Sequence, residues 1–137
     1  MLRCLVVDDD ALGRELAAHY MEGIAACEMA ADGREAIEKF RAALDSGTSF
    51  HLVLLDLIMP GMDGYETGKA IRKLEHERGI PVAKGVNIIV ISALNTPGEI
   101  INAYISAQSA AHLVKPIEPE NLMKTLKKLG LIGNGGA

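Results

Sequence analysis

Apolar residues recur along this chain in two rhythms. Short unbroken runs appear at 2–7 (LRCLVV), 25–30 (AACEMA), 51–55 (HLVLL), 86–91 (VNIIVI) and 111–114 (AHLV). Runs this brief and this rich in Val, Ile and Leu suit strands buried on both faces of a parallel sheet. Between them the apolar positions are spaced three and four apart, as one face of a helix requires. Leu12, Leu16 and Tyr20 mark a first face, and Ile37, Phe40 and Leu44 a second. Thr67, Ile71 and Leu74 form a weaker third stripe. Ile100 or Ile101 with Tyr104, and then Leu122, Leu126 and Leu129, mark the last two. Five strands alternating with five helices predict an α/β domain of three layers with right-handed crossovers.

Turn chemistry supports these boundaries. Asp32-Gly33 separates the second strand from the second helix, and Pro60-Gly61 and Asp63-Gly64 break the chain after the third strand. Asn95-Thr96-Pro97 offers a helix cap followed by proline in the first turn. The stretch 75–85 (EHERGIPVAKG) is longer than a minimal connection and predicts a surface loop. Residues 1–130 are read as the domain, and 131–137, ending in GNGGA, as a flexible Gly-rich tail.

Composition narrows the classes. The chain has 137 residues and a net charge of −4, which fits a single domain and argues against a nucleic-acid binder. The apolar runs are far too short to span a membrane, and MLRCLVVDD leads directly into a strand rather than a secretory signal. Cys4 and Cys27 lie in strand-like runs without metal-site spacing, and read as buried free thiols in a reducing, cytoplasmic setting. His19, His51 and His76 are scattered and read as structural or surface residues. Lys124, Lys127 and Lys128 read as a solvated helix face.

The chemistry collects at one edge. Open parallel sheets bind ligands at the carboxyl ends of their strands. Here those ends carry Asp8-Asp9-Asp10, Asp56, Ser92-Ala93 and Lys115-Pro116. Asp8, Asp9 and Asp56 close together would repel one another unless a cation joined them. An all-oxygen set suits Mg²⁺, which keeps several waters and leaves room for a phosphoryl oxygen. With Lys115 and the Ser92 hydroxyl, these residues make a phosphoryl-transfer site in which the Asp56 carboxylate is the nucleophile. Asp10 instead fits the N-cap of the first helix. Asp63 and Gly64 are assigned to the turn before the third helix, with no chemical role.

The segments LVVDDD, LVLLDLIMPGMDG, IIVISA and HLVKP, in this order and spacing, resemble the receiver domain of bacterial two-component response regulators. The resemblance covers essentially residues 2–129 and is chemotaxis-regulator-like. It implies a flavodoxin-like (βα)5 doubly wound parallel sheet with strand order 2-1-3-4-5. It implies Asp56 as phosphoacceptor and Asp8 and Asp9 as an acid pair, with Asp9 the more direct Mg²⁺ ligand and the Ile58 backbone carbonyl a further one. It implies that Ser92 and Lys115 bind the phosphoryl group, and that the Lys115-Pro116 bond is cis. His112 stands where such domains often carry an aromatic switch residue, paired in that role with Ser92.

The same resemblance implies a histidine kinase or histidine phosphotransfer protein as donor. The output partner would be a protein bound at the face of the fourth helix, fifth strand and fifth helix. No substrate turnover is expected beyond self-phosphorylation and self-dephosphorylation. With no output domain after residue 129, the chain is expected to act alone unless it is an excised domain. Ile58 and Leu94 would flank the path of attacking water. Neither can orient a water by hydrogen bonding, so a phosphoryl lifetime of minutes or longer is expected. Gln108-Ser109 departs from the usual Gly-Ala, so the exit of the fourth helix is expected to differ.

Three other readings compete. A haloacid-dehalogenase-type phosphohydrolase also uses a nucleophilic Asp after an apolar strand, but needs a second acid where Ile58 stands. A flavodoxin-like cofactor binder needs a glycine- and hydroxyl-rich phosphate loop where the acids stand. A non-phosphorylated pseudo-receiver would not need the complete acid, hydroxyl and lysine set.

Overall fold

The computed structural model describes residues 1–59, 61–93 and 96–133. Strands β1 (Leu2–Val7), β2 (Ala25–Ala30), β3 (Leu52–Asp56), β4 (Asn87–Ser92) and β5 (Ala111–Val114) alternate with helices α1 (Ala11–Tyr20), α2 (Gly33–Asp45), α3 (Gly64–Glu77), α4 (Pro97–Ala107) and α5 (Pro119–Lys128). The strands form one parallel sheet in the order β2-β1-β3-β4-β5, as expected. β3 and β4 begin and end one residue later than the apolar runs suggest. Asp56 is therefore itself the last residue of β3, in register with Ile91.

Each face of the sheet has its own core. Phe40, Ala36 and Ala43 of α2, Ile71 and Leu74 of α3, and Ala103 and Ala107 of α4 pack on Leu5, Val7, Val53, Leu55, Ile88 and Val90. On the other face Ala17 of α1, Met21, and Leu122 and Leu126 of α5 pack on Cys4, Val6, Leu52, Leu54, Ile89 and Ile91. Consecutive strand residues point to opposite faces, which is why nearly every residue of the central strands is buried.

Two helical faces differ from the sequence reading. Leu12 and Leu16 of α1 are 62% and 41% exposed, and the helix meets the sheet through Ala17. Ile101 and Tyr104 of α4 are likewise exposed, and Ala103 and Ala107 are buried instead. In α1 a small residue faces the sheet, in α4 Ala107 seats closely against Gly68 of α3, and in both helices large apolar residues fall on the outside. The stripes of α2, α3 and α5 face the core as expected.

The 75–85 segment is also corrected. α3 continues to Glu77, and a single 3₁₀ turn spans Val82–Lys84. Glu75 is buried, because its carboxylate accepts from the Val86 backbone N–H at 2.6 Å and from Arg72 at 2.8 Å. Arg72 also donates to the carbonyls of Ala107 and Gln108 at 2.8 and 2.9 Å. Gln108 caps α4 in the left-handed region, with φ of 50°. The departure from Gly at the α4 exit is thus met by a guanidinium that gathers its last carbonyls.

Leu131 and Ile132, placed in the tail by the sequence reading, pack against the α1/α5 core. Residues 134–137, Pro60 of the Pro60-Gly61 turn, Leu94 and Asn95 lie outside the described residues.

Candidate phosphoryl-transfer site

Each chemical side chain is placed by local backbone physics. β1 ends at Val7, and the Asp8 carboxylate turns back to accept the Asp10 N–H at 2.9 Å. Arg14 donates to the Asp8 carbonyl at 2.7 Å. Asp10 caps α1 by accepting from Leu12 N–H at 3.3 Å. Asp10 is thus the α1 cap, as expected, while Asp8 is buried and Asp9 is exposed.

Two glycines let helices come close to this edge. A Cβ at Gly13 would stand 2.5 Å from the Asp8 carboxylate. One at Gly64 would stand 2.4 Å from the Asp56 carbonyl oxygen and 2.6 Å from the Leu57 Cα. Gly64 is more than a turn residue: it lets the start of α3 rest on the backbone that presents Asp56. Asp63, as expected, serves the helix itself, accepting from Glu66 N–H at 2.9 Å.

At the centre, Asp56 is 3% exposed. One carboxylate oxygen accepts the Ile58 N–H at 3.2 Å, and the other meets Lys115 Nζ at 3.1 Å. The same ammonium lies 3.4 Å from Asp8. Carboxylate oxygens of Asp8, Asp9 and Asp56 all lie within 4.8 Å of one another. Burial pushes the Asp56 carboxyl up to about 6. The Ile58 N–H and Lys115 pull against that rise, and the charge of Asp8 adds to it. Burial alone would lower the Lys115 ammonium, but Asp56 and Asp8 prevail and raise it.

Ser92 closes β4 and is buried, and its carbonyl accepts the Lys115 N–H at 2.8 Å. This bond ties the hydroxyl-bearing strand end to the lysine-bearing one. The Lys115-Pro116 peptide is cis, as expected. The Ile58 side chain is 63% exposed beside the acids.

His112 lies in β5, and the residue as a whole is half-buried. Its side chain is 7% exposed and turned toward α4, with Nε2 3.7 Å from the Glu99 carboxylate. Glu99 lies in the first turn of α4, where Thr96 caps the helix by accepting the Glu99 N–H at 3.2 Å. Tyr65 also feels Glu99: burial, then Glu99 and Asp63, push its phenol up. Sequence reasoning missed both Glu99 and the Arg72/Glu75 pair. The i,i+3 spacing of Arg72 and Glu75 was a usable signal, whereas nothing in the sequence pairs Glu99 with His112.

A three-carboxylate cluster, a lysine and a hydroxyl gather at the carboxyl edge of a 2-1-3-4-5 parallel sheet, the edge where open α/β domains bind ligands. Comparison with known proteins makes this specific. The response regulator receiver domain profile matches residues 4–127, and the chain belongs to that family. It is 33% identical to the chemotaxis protein CheY of Thermotoga maritima over 93% of this chain and 96% of that protein. It is 31% identical to the transcription factor SKN7 of Chaetomium thermophilum, but spans only 15% of that protein's length.

Among solved structures, Vibrio cholerae CheY4 superposes with a TM-score of 0.77 at 29% identity, covering 93% of this chain and 98% of that one. The receiver domain of the Arabidopsis thaliana histidine kinase CKI1, complexed with Mg²⁺ and BeF₃⁻, superposes with a TM-score of 0.79 at 27% identity, covering 94% and 89%. The chain is thus a CheY-like receiver domain of two-component signalling. Receivers of this family work with histidine kinases or phosphotransfer proteins and with downstream effectors. Among the described residues no helix is long and apolar enough to cross a membrane.

Proposed function

We propose that Asp56 accepts a phosphoryl group from a phosphohistidine donor, on a histidine kinase or a histidine phosphotransfer protein. The observation that carries this reading is the position of Asp56. Its carboxylate is buried at a strand end, 3.1 Å from Lys115 Nζ and within 4.8 Å of the Asp8 and Asp9 oxygens. Asp8, Asp9 and Asp56, with the Ile58 carbonyl, would hold Mg²⁺. The donor set fits a hard cation, because all its ligand atoms are oxygens and the exposed Asp9 leaves a wet side for coordinated water. Mg²⁺, when bound, offsets the negative charge of the acids and of the arriving phosphoryl oxygens.

In the transfer, an Asp56 carboxylate oxygen attacks phosphorus, the bond to the donor imidazole breaks, and an acyl phosphate forms on Asp56. Lys115 stays beside the new dianion, and the Ser92 hydroxyl donates to a phosphoryl oxygen. Movement of Ser92 toward that oxygen, with His112 filling in behind it, would alter how α4 sits. The face of α4, β5 and α5 would then bind a downstream protein. Ile101, Tyr104, Ile105 and Val114 are exposed there. The exposed Ile58 side chain screens the phosphoryl group from water, so the adduct decays over minutes or longer. Leu94, paired with Ile58 in this role, lies outside the described residues. The setting proposed for this exchange is the cytoplasm.

The test is incubation with phosphoramidate and Mg²⁺, read by intact mass. One phosphoryl group per chain is expected. Continuous hydrolysis of p-nitrophenyl phosphate would instead favour a phosphohydrolase. In a Mg²⁺ titration Asp9→Ala should weaken binding severely, whereas Asp10→Ala should leave it unchanged. Equal loss in both variants would break the assignment of the metal ligands.

A further inference from the structure

β1 and β2 pair in parallel with Cys4 directly opposite Cys27. Both side chains lie on the sheet face that α1 and α5 cover. Cys4 is buried, whereas Cys27 is only partly covered, because β2 is an edge strand. This differs from the expectation of two buried thiols. Adjacent strands stand about 4.8 Å apart, inside the span of roughly 4.4 to 6.8 Å between Cα atoms that a disulfide bridges.

The two thiols also interact. Cys4 beside it lowers the Cys27 thiol from its usual range, and Cys27 itself donates to the Ala25 carbonyl at 4.0 Å. Cys27 and burial together push Cys4 well up. Cys27 is thus the accessible sulfur, and Cys4 is the buried one directly opposite it. That is the division of labour between an attacking and a resolving cysteine. Neither residue takes part in the phosphoryl site.

We propose that Cys4 and Cys27 are a peroxide-sensitive thiol pair that closes into an intrachain disulfide between β1 and β2. The Cys27 thiolate attacks one oxygen of hydrogen peroxide, the O–O bond breaks, Cys27 becomes a sulfenic acid, and the leaving hydroxide takes up the proton that the Cys27 thiol had released and departs as water. The Cys4 sulfur then attacks the Cys27 sulfur, and the S–O bond breaks. The leaving hydroxide takes the Cys4 proton and departs as water. Two thiols are oxidised to one disulfide, and one peroxide is reduced to two waters.

The experiment exposes the folded, reduced protein to hydrogen peroxide. The protein is then denatured, alkylated, and read by intact mass and non-reducing electrophoresis. The expected result is a monomer that has lost two hydrogens, takes up no alkylating agent, and recovers both thiols with dithiothreitol. A Cys4–Cys27 linked peptide should appear on digestion. In Cys4→Ser the oxidation should stop at a sulfenic acid that dimedone traps on Cys27. In Cys27→Ser, Cys4 should remain alkylatable. Wild-type protein that keeps both thiols, oxidises Cys27 while Cys4 stays free, or links only between two copies overturns the proposal. Linked-peptide mapping of the wild type decides the matter even if a serine variant fails to fold.

Discussion

The acid side of the site and the α4 side are built differently. On the acid side, Asp8 follows β1 and Asp56 ends β3, and Cys4–Val7 of β1 and all of β3 are buried. α1 and α3 rest on the ends of these strands through Gly13 and Gly64, with no room for a methyl group. On the other side, α4 buries only Ala103 and Ala107, and turns Ile101, Tyr104 and Ile105 to solvent. Burying alanine contributes far less than burying leucine or isoleucine. α4 is held instead against α3, where a Cβ at Gly68 would stand 2.3 Å from the Ala107 Cβ, and by polar ties: Thr96 at its start, Glu99 facing His112, and Arg72 at its exit. The lesson is that the chemistry stands on strand ends seated in the core, and the helix expected to respond is held by one close small-residue contact and a few polar ties.

The largest effect should come from adding the same methyl group to each half. Gly64→Ala forces a Cβ into the Asp56 and Leu57 backbone and should cost about 3 kcal/mol or more of stability. Gly98→Ala, in the first turn of α4, meets nothing within 4 Å and should be neutral or stabilise by up to about 1 kcal/mol. Denaturant unfolding of both variants measures the contrast. Equal costs would mean that Gly64 does not set how closely α3 approaches the Asp56 backbone.

Next comes the acid cluster itself. Asp56 has a carboxyl raised from 3.8 to about 6, so its ionised form destabilises the fold. That penalty is absent below the unfolded value, grows as pH rises to the folded value, and is constant above it. Asp56→Asn should therefore stabilise the Mg²⁺-free protein near neutral pH by about 2 to 3 kcal/mol. The gain should shrink toward zero near pH 4. Lys115 keeps Asp8 as a partner in this variant. Thermal melts across pH check the sign, and a gain that grows on acidification would refute the electrostatic account.

Smaller effects sharpen the α4 side. Arg72→Ala removes the guanidinium from two helix-end carbonyls and from the buried Glu75, and should cost about 2 kcal/mol. Hydrogen exchange should rise at the end of α4 more than at β1 or β3. Gln108→Gly relieves a left-handed position and should stabilise by about 0.5 to 1 kcal/mol. Asp10→Ala, the loss of a cap, should cost about 1 kcal/mol. Chemical denaturation ranks the three.

Most of the acid side was legible in the sequence, and less of the α4 side was. Asp8, Asp9, Asp56 and Lys115 could be grouped because parallel strands carry their ends to one edge, so position in the chain dictates position in space. The strand order and the cis bond came instead from the family resemblance. The faces of α1 and α4 were misassigned because helical spacing identifies a stripe without saying which way it points. Leu12 and Leu16 form as good a stripe as Phe40 and Ile37, yet small alanines decide what seats on the sheet. Glu99 and His112 belong to different elements, and their meeting depends on how α4 lies, which no local pattern records.

The central claim is that Asp56 is the phosphoryl acceptor of a Mg²⁺-dependent receiver. Its most direct test is peptide mapping after incubation with a small phosphodonor, in Mg²⁺ and in excess EDTA, for wild type and Asp56→Asn. The account predicts an acid-stable, base-labile phosphoryl group on the peptide containing Asp56, formed only with Mg²⁺ and absent from the variant. A label that persists unchanged in Asp56→Asn, or no label at all in folded wild-type protein with Mg²⁺, would contradict it.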